Sequence, residues 1–458
     1  MSPSSELSDR YVKRHLYAPT HFAAVDAGPG FTSEVEAEIR ALLEDRLTPS
    51  RSNPTISADH SRVIVRNIDY RSLLELVLRT SCAADVSLGV AHGHAENEEQ
   101  LAGLLSRIEW KLFFRPDAKV LIRANSYASR LYHTGILSDS ATEALERTGC
   151  AVSSDAATAD HVLSLTLRHD RLQASISLAG RPLWQRGYRA ELEAVAPLRE
   201  DLAQAAIRRA LNAFARPAAG SPEAFDLLLV PFAGSGTLAF ESIIAWYQVP
   251  PFLFGDAGSP RFAFERFNVG SPPSVDWLKR KLRSLLQTRL TRHLHTVMID
   301  SYAPACDACT RNWSRFSEAI FASPGGSSDT TLRENPGPVQ LTAEVRREDV
   351  LLQDWSRYVG PDTKSLFIPM NPPYGRRLRA GEVASLYKRI GRRVEELVAP
   401  RNEEDVAVRQ HRLRVCGFIL CADEATWSAF LNAVPSYHCV TSHFTQGGLD
   451  IRLCIFES

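Results

Sequence analysis

Residues 225–247 read FDLLLVPFAGSGTLAFESIIAWY. An apolar run from Phe225 to Val230 passes through Pro231-Phe232-Ala233-Gly234-Ser235-Gly236-Thr237 into a second apolar stretch that ends at Tyr247. A short apolar run bounded by turn residues suits a strand covered on both faces, as in a parallel sheet. The glycines then let the chain reverse tightly and bring its backbone close to a ligand. No Gly-Lys-Ser/Thr follows, so the turn is not a phosphate-cradling nucleotide loop. An ordinary strand-to-helix connection would use the same glycines, and the stretch therefore establishes strand, turn and helix before it establishes a ligand.

Downstream the alternation continues. Apolar strands at Thr296–Ile299, Leu366–Ile368 and Val415–Leu420 alternate with helical patterns at Ala303–Phe316 and Ala380–Val398. That order predicts a doubly wound α/β sheet. Ser323–Pro338 and Ala399–Arg412 read as polar surface insertions. Directly after the strand Leu366–Met370 comes Asn371-Pro372-Pro373-Tyr374. Two prolines fix φ and donate nothing, so the Asn371 side-chain oxygen and the Pro372 carbonyl can act as acceptors on one spot, while Tyr374 offers an aromatic face. An exocyclic amine on a planar base suits such a spot. Asp300 ends one strand, a place from which a carboxylate could meet ribose hydroxyls, and Asp349 follows Leu341–Val345; either could simply be a solvated loop acid or cap a helix.

The amino-terminal half is a different α/β pattern. A strand at His21–Val25, a helix at Ser33–Arg46, a strand at Arg62–Val65 and a helix at Tyr70–Arg79 form one unit. A helix near Glu98–Arg107 and strands at Lys119–Arg123, His161–Leu167 and Leu172–Leu178 form a second, with His169-Asp170-Arg171 as a hairpin turn. A helix over Pro197–Ala215 leads into a linker at Pro217–Pro222.

The 458 residues leave room for about three domains. Hydrophobic residues at 44% and charged residues at 23% exclude a wholly disordered chain, a collagen and a coiled-coil rod. Lys plus Arg and Asp plus Glu both number 53, so a nucleic-acid partner must be held by local patches and not by a global field. No apolar run approaches the roughly 20 residues of a membrane span, and Met1–His15 lacks an apolar core, so a cytoplasmic location without membrane attachment is expected. The eight cysteines read as reduced core residues; only Cys306 and Cys309 form a CxxC, without a second pair to complete a metal site, and no metal is expected.

The Gly-rich loop and the Asn-Pro-Pro-Tyr motif together resemble the amino-methyltransferases, Rossmann-like enzymes that use S-adenosylmethionine and carry DPFxGSGT and [ND]PPY. The resemblance narrows at Gly187-Tyr188-Arg189, at Ala196–Glu200, at Asn371–Leu378 (NPPYGRRL) and at Phe264–Phe267, Thr310–Asn312 and Gly447–Asp450. These stretches resemble the bacterial large-subunit ribosomal RNA guanine-N2 methyltransferases with a THUMP domain. The resemblance implies a ferredoxin-like domain over 18–92, a THUMP RNA-binding domain over 93–182, a connecting helix and linker over 183–222, and a Rossmann-like class I methyltransferase domain over 223–458. It implies that Pro231, Phe232, Gly234, Ser235, Gly236 and Thr237 with Asp300 and Asp349 hold the cofactor, and that Asn371, Pro372, Pro373 and Tyr374 receive the target amine. Arg123, Arg130, Tyr132 and His133, with Arg376 and Arg377 beside the amine pocket, are the cations and aromatics suited to RNA, or a solvated basic surface.

The expected reaction is a single in-line displacement by guanine N2, flipped from any helix and aimed by two acceptors. The resemblance implies ribosomal RNA as the target, with tRNA as the close alternative and a non-catalytic RNA-binding or assembly factor as the distant one; a small activating protein partner is compatible with either. The chain departs from the family pattern at Val230, Tyr302 and Arg376, where acids are usual.

Overall fold

The computed structural model describes residues 7–59, 61–189, 198–214, 225–255, 261–290, 293–321, 341–373, 380–398 and 413–458. The expected linker at Pro217–Pro222 and the insertions at Ser323–Pro338 and Ala399–Arg412 lie outside these residues. The chain divides into two compact units. The first comprises Met1–Ala27, Val35–Gln185 and Gly255–Lys281, and the second Gly28–Glu34, Arg186–Phe254 and Leu282–Ser458.

In the first unit the strands are β1 (His21–Ala27), β2 (Thr55–Asp59), β3 (Arg62–Ile68), β4 (Ala83–His94), β5 (Lys119–Tyr127), β6 (Ala151–Ser153), β7 (His161–Arg168) and β8 (Arg171–Ser177). They form one sheet in the order β2-β3-β1-β4-β8-β7-β5-β6. The two α/β patterns expected in the amino-terminal half are thus halves of a continuous sheet, and β4 joins them. Ala83–Leu88 pairs with β1 and Ser87–His94 with β8. The sequence hides this strand because Asp85, Gly89, His92 and Gly93 break its apolar alternation. Both glycines are steric: a Cβ at Gly89 would lie 2.1 Å from the Phe22 ring, and one at Gly93 2.6 Å from Leu104. The hairpin between β7 and β8 turns through His169 and Asp170, both at positive φ (49° and 58°), the two-residue geometry that matches strand twist. Helices Tyr70–Arg79 and Glu98–Leu105 stand where the periodicity places them, capped by Asp69 and Asn97. The helix Thr134–Glu146 was not anticipated.

The second unit holds β9 (Leu227–Pro231), β10 (Leu294–Asp300), β11 (Leu341–Arg347), β12 (Ser365–Met370), β13 (Arg414–Cys421), β14 (His438–Gln446) and β15 (Leu449–Glu457), in the order β11-β10-β9-β12-β13-β15-β14. The first five are mutually parallel and β15 runs antiparallel between β13 and β14. The terminal hairpin, absent from the expected elements, turns at Gly447 and Gly448, both at positive φ.

Alternation along the strands covers both faces. Leu227, Leu229, Val297, Ile299, Leu366, Ile368 and Met370 pack with Val383, Tyr387, Ile390 and Val394 of the helix Ala380–Glu395. On the other face Met298 meets Cys309 of the helix Ala303–Phe321 at 3.4 Å, and Phe367 meets Trp246 of the helix Thr237–Tyr247 edge-on at 5.6 Å. This is the doubly wound sheet that the strand–helix order predicts. Its first strand, β9, has neighbours on both sides that follow it in the chain, so the crevice at the carboxyl ends of β9, β10 and β12 is the topological switch point where such sheets bind ligands.

Candidate active site

Every cofactor or catalytic residue expected from the sequence that lies among the described residues sits at or just beyond the carboxyl end of a parallel strand. Pro231 ends β9, Asp300 ends β10, Asp349 follows β11 and Asn371 follows β12. The turn after β9 places Phe232, Gly234 and Gly236 at φ of 58°, 54° and 92°. Glycine carries such angles without strain, whereas a phenylalanine does not, and strain of this kind collects where backbone is shaped around a ligand. The two glycines differ in their surroundings. A Cβ at Gly234 would meet nothing within 4 Å, but one at Gly236 would lie 2.5 Å from Phe240 and 3.0 Å from the Cys309 Sγ. Gly234 therefore borders open space, and Gly236 lets the following helix close onto the sheet.

Side chains from two directions fix the turn. The Gly234 and Tyr302 N–H groups each donate to the Asp300 carboxylate at 2.9 Å, and Ala233 N–H donates to the Ile299 carbonyl at 2.9 Å. Asn312, 3% exposed on the helix Ala303–Phe321, donates to the Ser235 carbonyl at 3.1 Å. Asp300 thus orders the loop and remains partly exposed at the crevice. Asp349 accepts from Leu351 N–H at 3.0 Å, which makes it the cap of the short helical turn Val350–Leu352, and its side chain is exposed.

Behind the turn lies a buried ionic frame that sequence reasoning did not anticipate. Arg186 and Glu241, both fully buried, pair at 3.4 Å, and the Tyr188 hydroxyl donates to Glu241 at 2.9 Å. Arg189 donates to the Leu198 carbonyl at 2.9 Å and to the Thr237 hydroxyl at 2.7 Å, and pairs with Glu200 at 3.2 Å. Burial pushes the Glu200 carboxyl up to about 7, against the pull of Arg189. The signal was available: Glu241 interrupts the apolar run LAFESIIAWY, and a charge there must find a partner. Val230 is fully buried on the sheet face opposite Leu229, an apolar position.

Two buried polar atoms at the crevice have no hydrogen-bond partner within the chain, Asn371 Oδ1 and Ser235 Oγ. Such atoms are uncommon in folded proteins, and each calls for an explanation in a ligand or ordered water. Pro372 is buried and Pro373 exposed. Tyr374, Arg376 and Arg377 lie outside the described residues.

The expected RNA-contacting residues belong to the first unit. Arg123 is exposed on β5; Tyr132 is 70% exposed with His133 against its ring at 4.0 Å. Arg130 is not a bare cation, because Glu96 and Asp170 both engage it. The eight cysteines are free and, except for Cys439, buried; burial pushes the Cys309 thiol up to about 12, which suits packing. Among the described residues no cluster of metal-ligating side chains occurs, and no helix is long and apolar enough to cross a membrane.

No family model matches the chain. It is 24% identical over 409 residues to the ribosomal RNA large subunit methyltransferase K/L of Syntrophotalea carbinolica, an alignment that covers 85% of this chain and 52% of that protein. The chain spans about half, or less, of the length of the curated relatives it matches. Among solved structures it is similar to SMU.472, named as a candidate methyltransferase and crystallised with SAH, with a TM-score of 0.66, 18% identity and coverage of 95% of this chain and 98% of that one. A Listeria monocytogenes protein named as a predicted N6-adenine-specific DNA methylase gives a TM-score of 0.65 at 15% identity, over 98% of this chain and 99% of the other. These likenesses establish the fold: the second unit is a Rossmann-like methyltransferase fold, joined to an amino-terminal α/β region.

Proposed function

We propose that the chain is an S-adenosylmethionine-dependent methyltransferase acting on the exocyclic N2 of guanine in structured RNA, with large-subunit ribosomal RNA as its substrate. The observation that carries this reading is the buried Asn371 Oδ1 without a partner, placed directly after β12 at the switch point. An amide oxygen in that position costs free energy until a donor arrives, and an aromatic amine is a donor with two N–H groups.

The residues present fit the cofactor. The Gly234 side of the turn is open to close approach, Ser235 Oγ lacks a partner, and the carboxylate of Asp300 is held in place by two backbone N–H groups beside that opening. Tyr302 and Leu352, 58% and 70% exposed after β10 and β11, offer apolar surface that a purine ring would cover. When bound, S-adenosylmethionine supplies an electrophilic methyl group. Asn371 Oδ1 and the Pro372 carbonyl would accept the two N–H bonds of the amine, which draws its lone pair out of conjugation and aims it. Catalysis is then positioning and electrostatics, with no covalent nucleophile required. On the same reading residues 18–92 and 93–182 are the ferredoxin-like and THUMP regions that hold RNA, 183–222 connects them, and 223–458 carries the chemistry.

The ribosomal choice draws on the names of the curated relatives, and the amine choice on the Asn-Pro-Pro acceptors. The test is methyl transfer from labelled S-adenosylmethionine to cellular RNA stripped of modification, followed by nucleoside analysis. N2-methylguanosine in large-subunit ribosomal RNA is the expected product. The same nucleoside in tRNA would move the target and keep the chemistry, N6-methyladenosine would overturn the amine assignment, and absence of both transfer and cofactor binding would favour a non-catalytic RNA-binding factor.

A further inference from the structure

The eight-stranded sheet of the first unit curls until strands far apart in its order meet. Arg62 on β3 donates to the Thr166 hydroxyl on β7 at 3.3 Å, and Arg168 on β7 pairs with Asp59 on the edge strand β2 at 2.8 Å. The concave face behind these ties encloses a trough of about 1220 Å³. Strand alternation sends Arg62, Ile64 and Arg66 of β3, Thr166 and Arg168 of β7, and Asn125 and Tyr127 of β5 to the same side.

Two properties of this face point to one ligand. The first is charge: four arginines line the trough, and although Asp26 pairs with Arg62 at 2.6 Å and Asp59 with Arg168 at 2.8 Å, Arg66 and Arg171 add cations that no carboxylate among the described lining residues offsets, in a chain whose formal charge is zero. Cations concentrated this way mark a polyanion site. The second is a pair of aromatic platforms. Phe22 lies directly over Gly89, where no Cβ would fit, with its ring edge-on to His92 at 5.4 Å. Tyr127 is 54% exposed with the Arg168 guanidinium 6.0 Å above its ring. Arginine with aromatic faces on an open sheet is the combination on which unpaired bases stack while phosphates are neutralised. The volume exceeds the range of about 300–1,000 Å³ usual for small-molecule pockets. A duplex hides its bases and cannot use the platforms.

We propose that this trough binds single-stranded RNA, with bases on Phe22 and Tyr127 and phosphates on Arg66, Arg168 and Arg171. The choice of RNA rests on the functional reading above; the surface itself lies in the first unit, and of the described residues expected from the sequence to contact RNA Arg123 alone adjoins it, with Arg130, Tyr132 and His133 not among its lining. Arg123 shares the Asn125 and Tyr127 side of β5 by alternation and extends the basic face.

The test is fluorescence anisotropy of the full chain with a labelled oligouridylate and, separately, a blunt RNA duplex of equal length, each titrated over a range of salt. The single strand is expected to bind more tightly. Replacing both Arg66 and Arg171 by Ala should weaken it about tenfold and lower the slope of log affinity against log salt by roughly 1.4, since each lost phosphate contact removes about 0.7. Tyr127→Ala should weaken it at least several-fold by loss of stacking. Asp59→Asn discriminates most sharply: freeing Arg168 for phosphate should tighten binding about two- to fivefold, whereas a purely structural ion pair would give no change or a loss.

Equal affinity for the duplex, or an unchanged isotherm in the Arg66 and Arg171 variant, overturns the proposal. Binding that depends on these residues in a protein without methyl transfer would sink the catalytic reading and keep the trough. Methyl transfer with binding indifferent to the substitutions would do the reverse.

Discussion

Two arginine–carboxylate pairs show how differently the two units use the same chemistry. In the second unit Arg186 and Glu241 stand 3.4 Å apart with both side chains fully buried. In the first, Arg168 and Asp59 stand 2.8 Å apart with side chains 48% and 52% exposed. The shorter pair is the weaker constraint, because water can replace either partner, and a phosphate the carboxylate, at little cost. The longer pair has no such exchange open to it, since each ion would be stranded in a low-dielectric interior. Exclusion from water, more than distance, decides whether a pair fixes geometry or waits for a ligand.

The largest expected effect tests that difference directly. Glu241→Ala removes the carboxylate paired with the fully buried Arg186 guanidinium and should lower unfolding free energy by about 3–5 kcal/mol. Asp59→Ala, assayed in the same urea titration, should stay within about 0.5 kcal/mol of the parent. Similar losses at the two sites would erase the distinction. Next in size is Asn371→Ala, which should slow methyl transfer by about a hundred- to a thousandfold, the cost of one preorganised hydrogen-bonding group, while cofactor affinity stays near the parent value. Turnover close to normal would remove Asn371 from the chemistry.

How much of this was legible depends on how local each feature is. The strand–turn–helix at 225–247 could be read because a buried parallel strand and its glycines are consecutive in sequence; Thr237–Tyr247 falls where the apolar pattern predicts. Asp300, Asp349 and Asn371 could be placed at strand ends for the same reason. The frame could not, because Arg186 and Glu241 are joined by folding alone, although a glutamate within an apolar helix announces that a partner exists. β4 escaped because its residues answer to neighbours on other strands: Gly89 is there for the Phe22 ring, and Asp85 accepts from Ser87 and Ser177. The trough was invisible because its arginines come from strands scattered over more than a hundred residues, and only curling of the sheet makes them one surface.

Within the frame, pH separates the fixed pair from its neighbour. The Glu200 carboxyl, ordinarily near 4.5, is pushed up to about 7 by burial. The fold therefore favours its protonated form, so the group's stabilising contribution is complete below about pH 4.5 and is lost as pH rises through about 7. Glu200→Gln keeps the shape and removes the titration. Between about pH 5 and about pH 8 the parent should lose on the order of 2 kcal/mol relative to this variant in urea unfolding. Parallel pH profiles would show that Glu200 is ionised throughout and locked to Arg189 as firmly as Glu241 is to Arg186.

The smallest effect expected is the one that connects frame to crevice. Arg189 donates to the Thr237 hydroxyl at the first residue of the helix that follows the glycine turn. Thr237→Val keeps the side-chain volume and removes the acceptor, while Arg189 retains the Leu198 carbonyl and Glu200, so the loss should be that of one hydrogen bond, about 1 kcal/mol. Because Thr237 lies on the cofactor side of the crevice and Asn371 on the amine side, the loss should appear as a several-fold rise in KM for S-adenosylmethionine with kcat nearly unchanged. A fall in kcat without a change in KM would mean that the turn and the Asn-Pro-Pro acceptors move together. The frame would then set the geometry of the reacting groups and not only the seat of the cofactor.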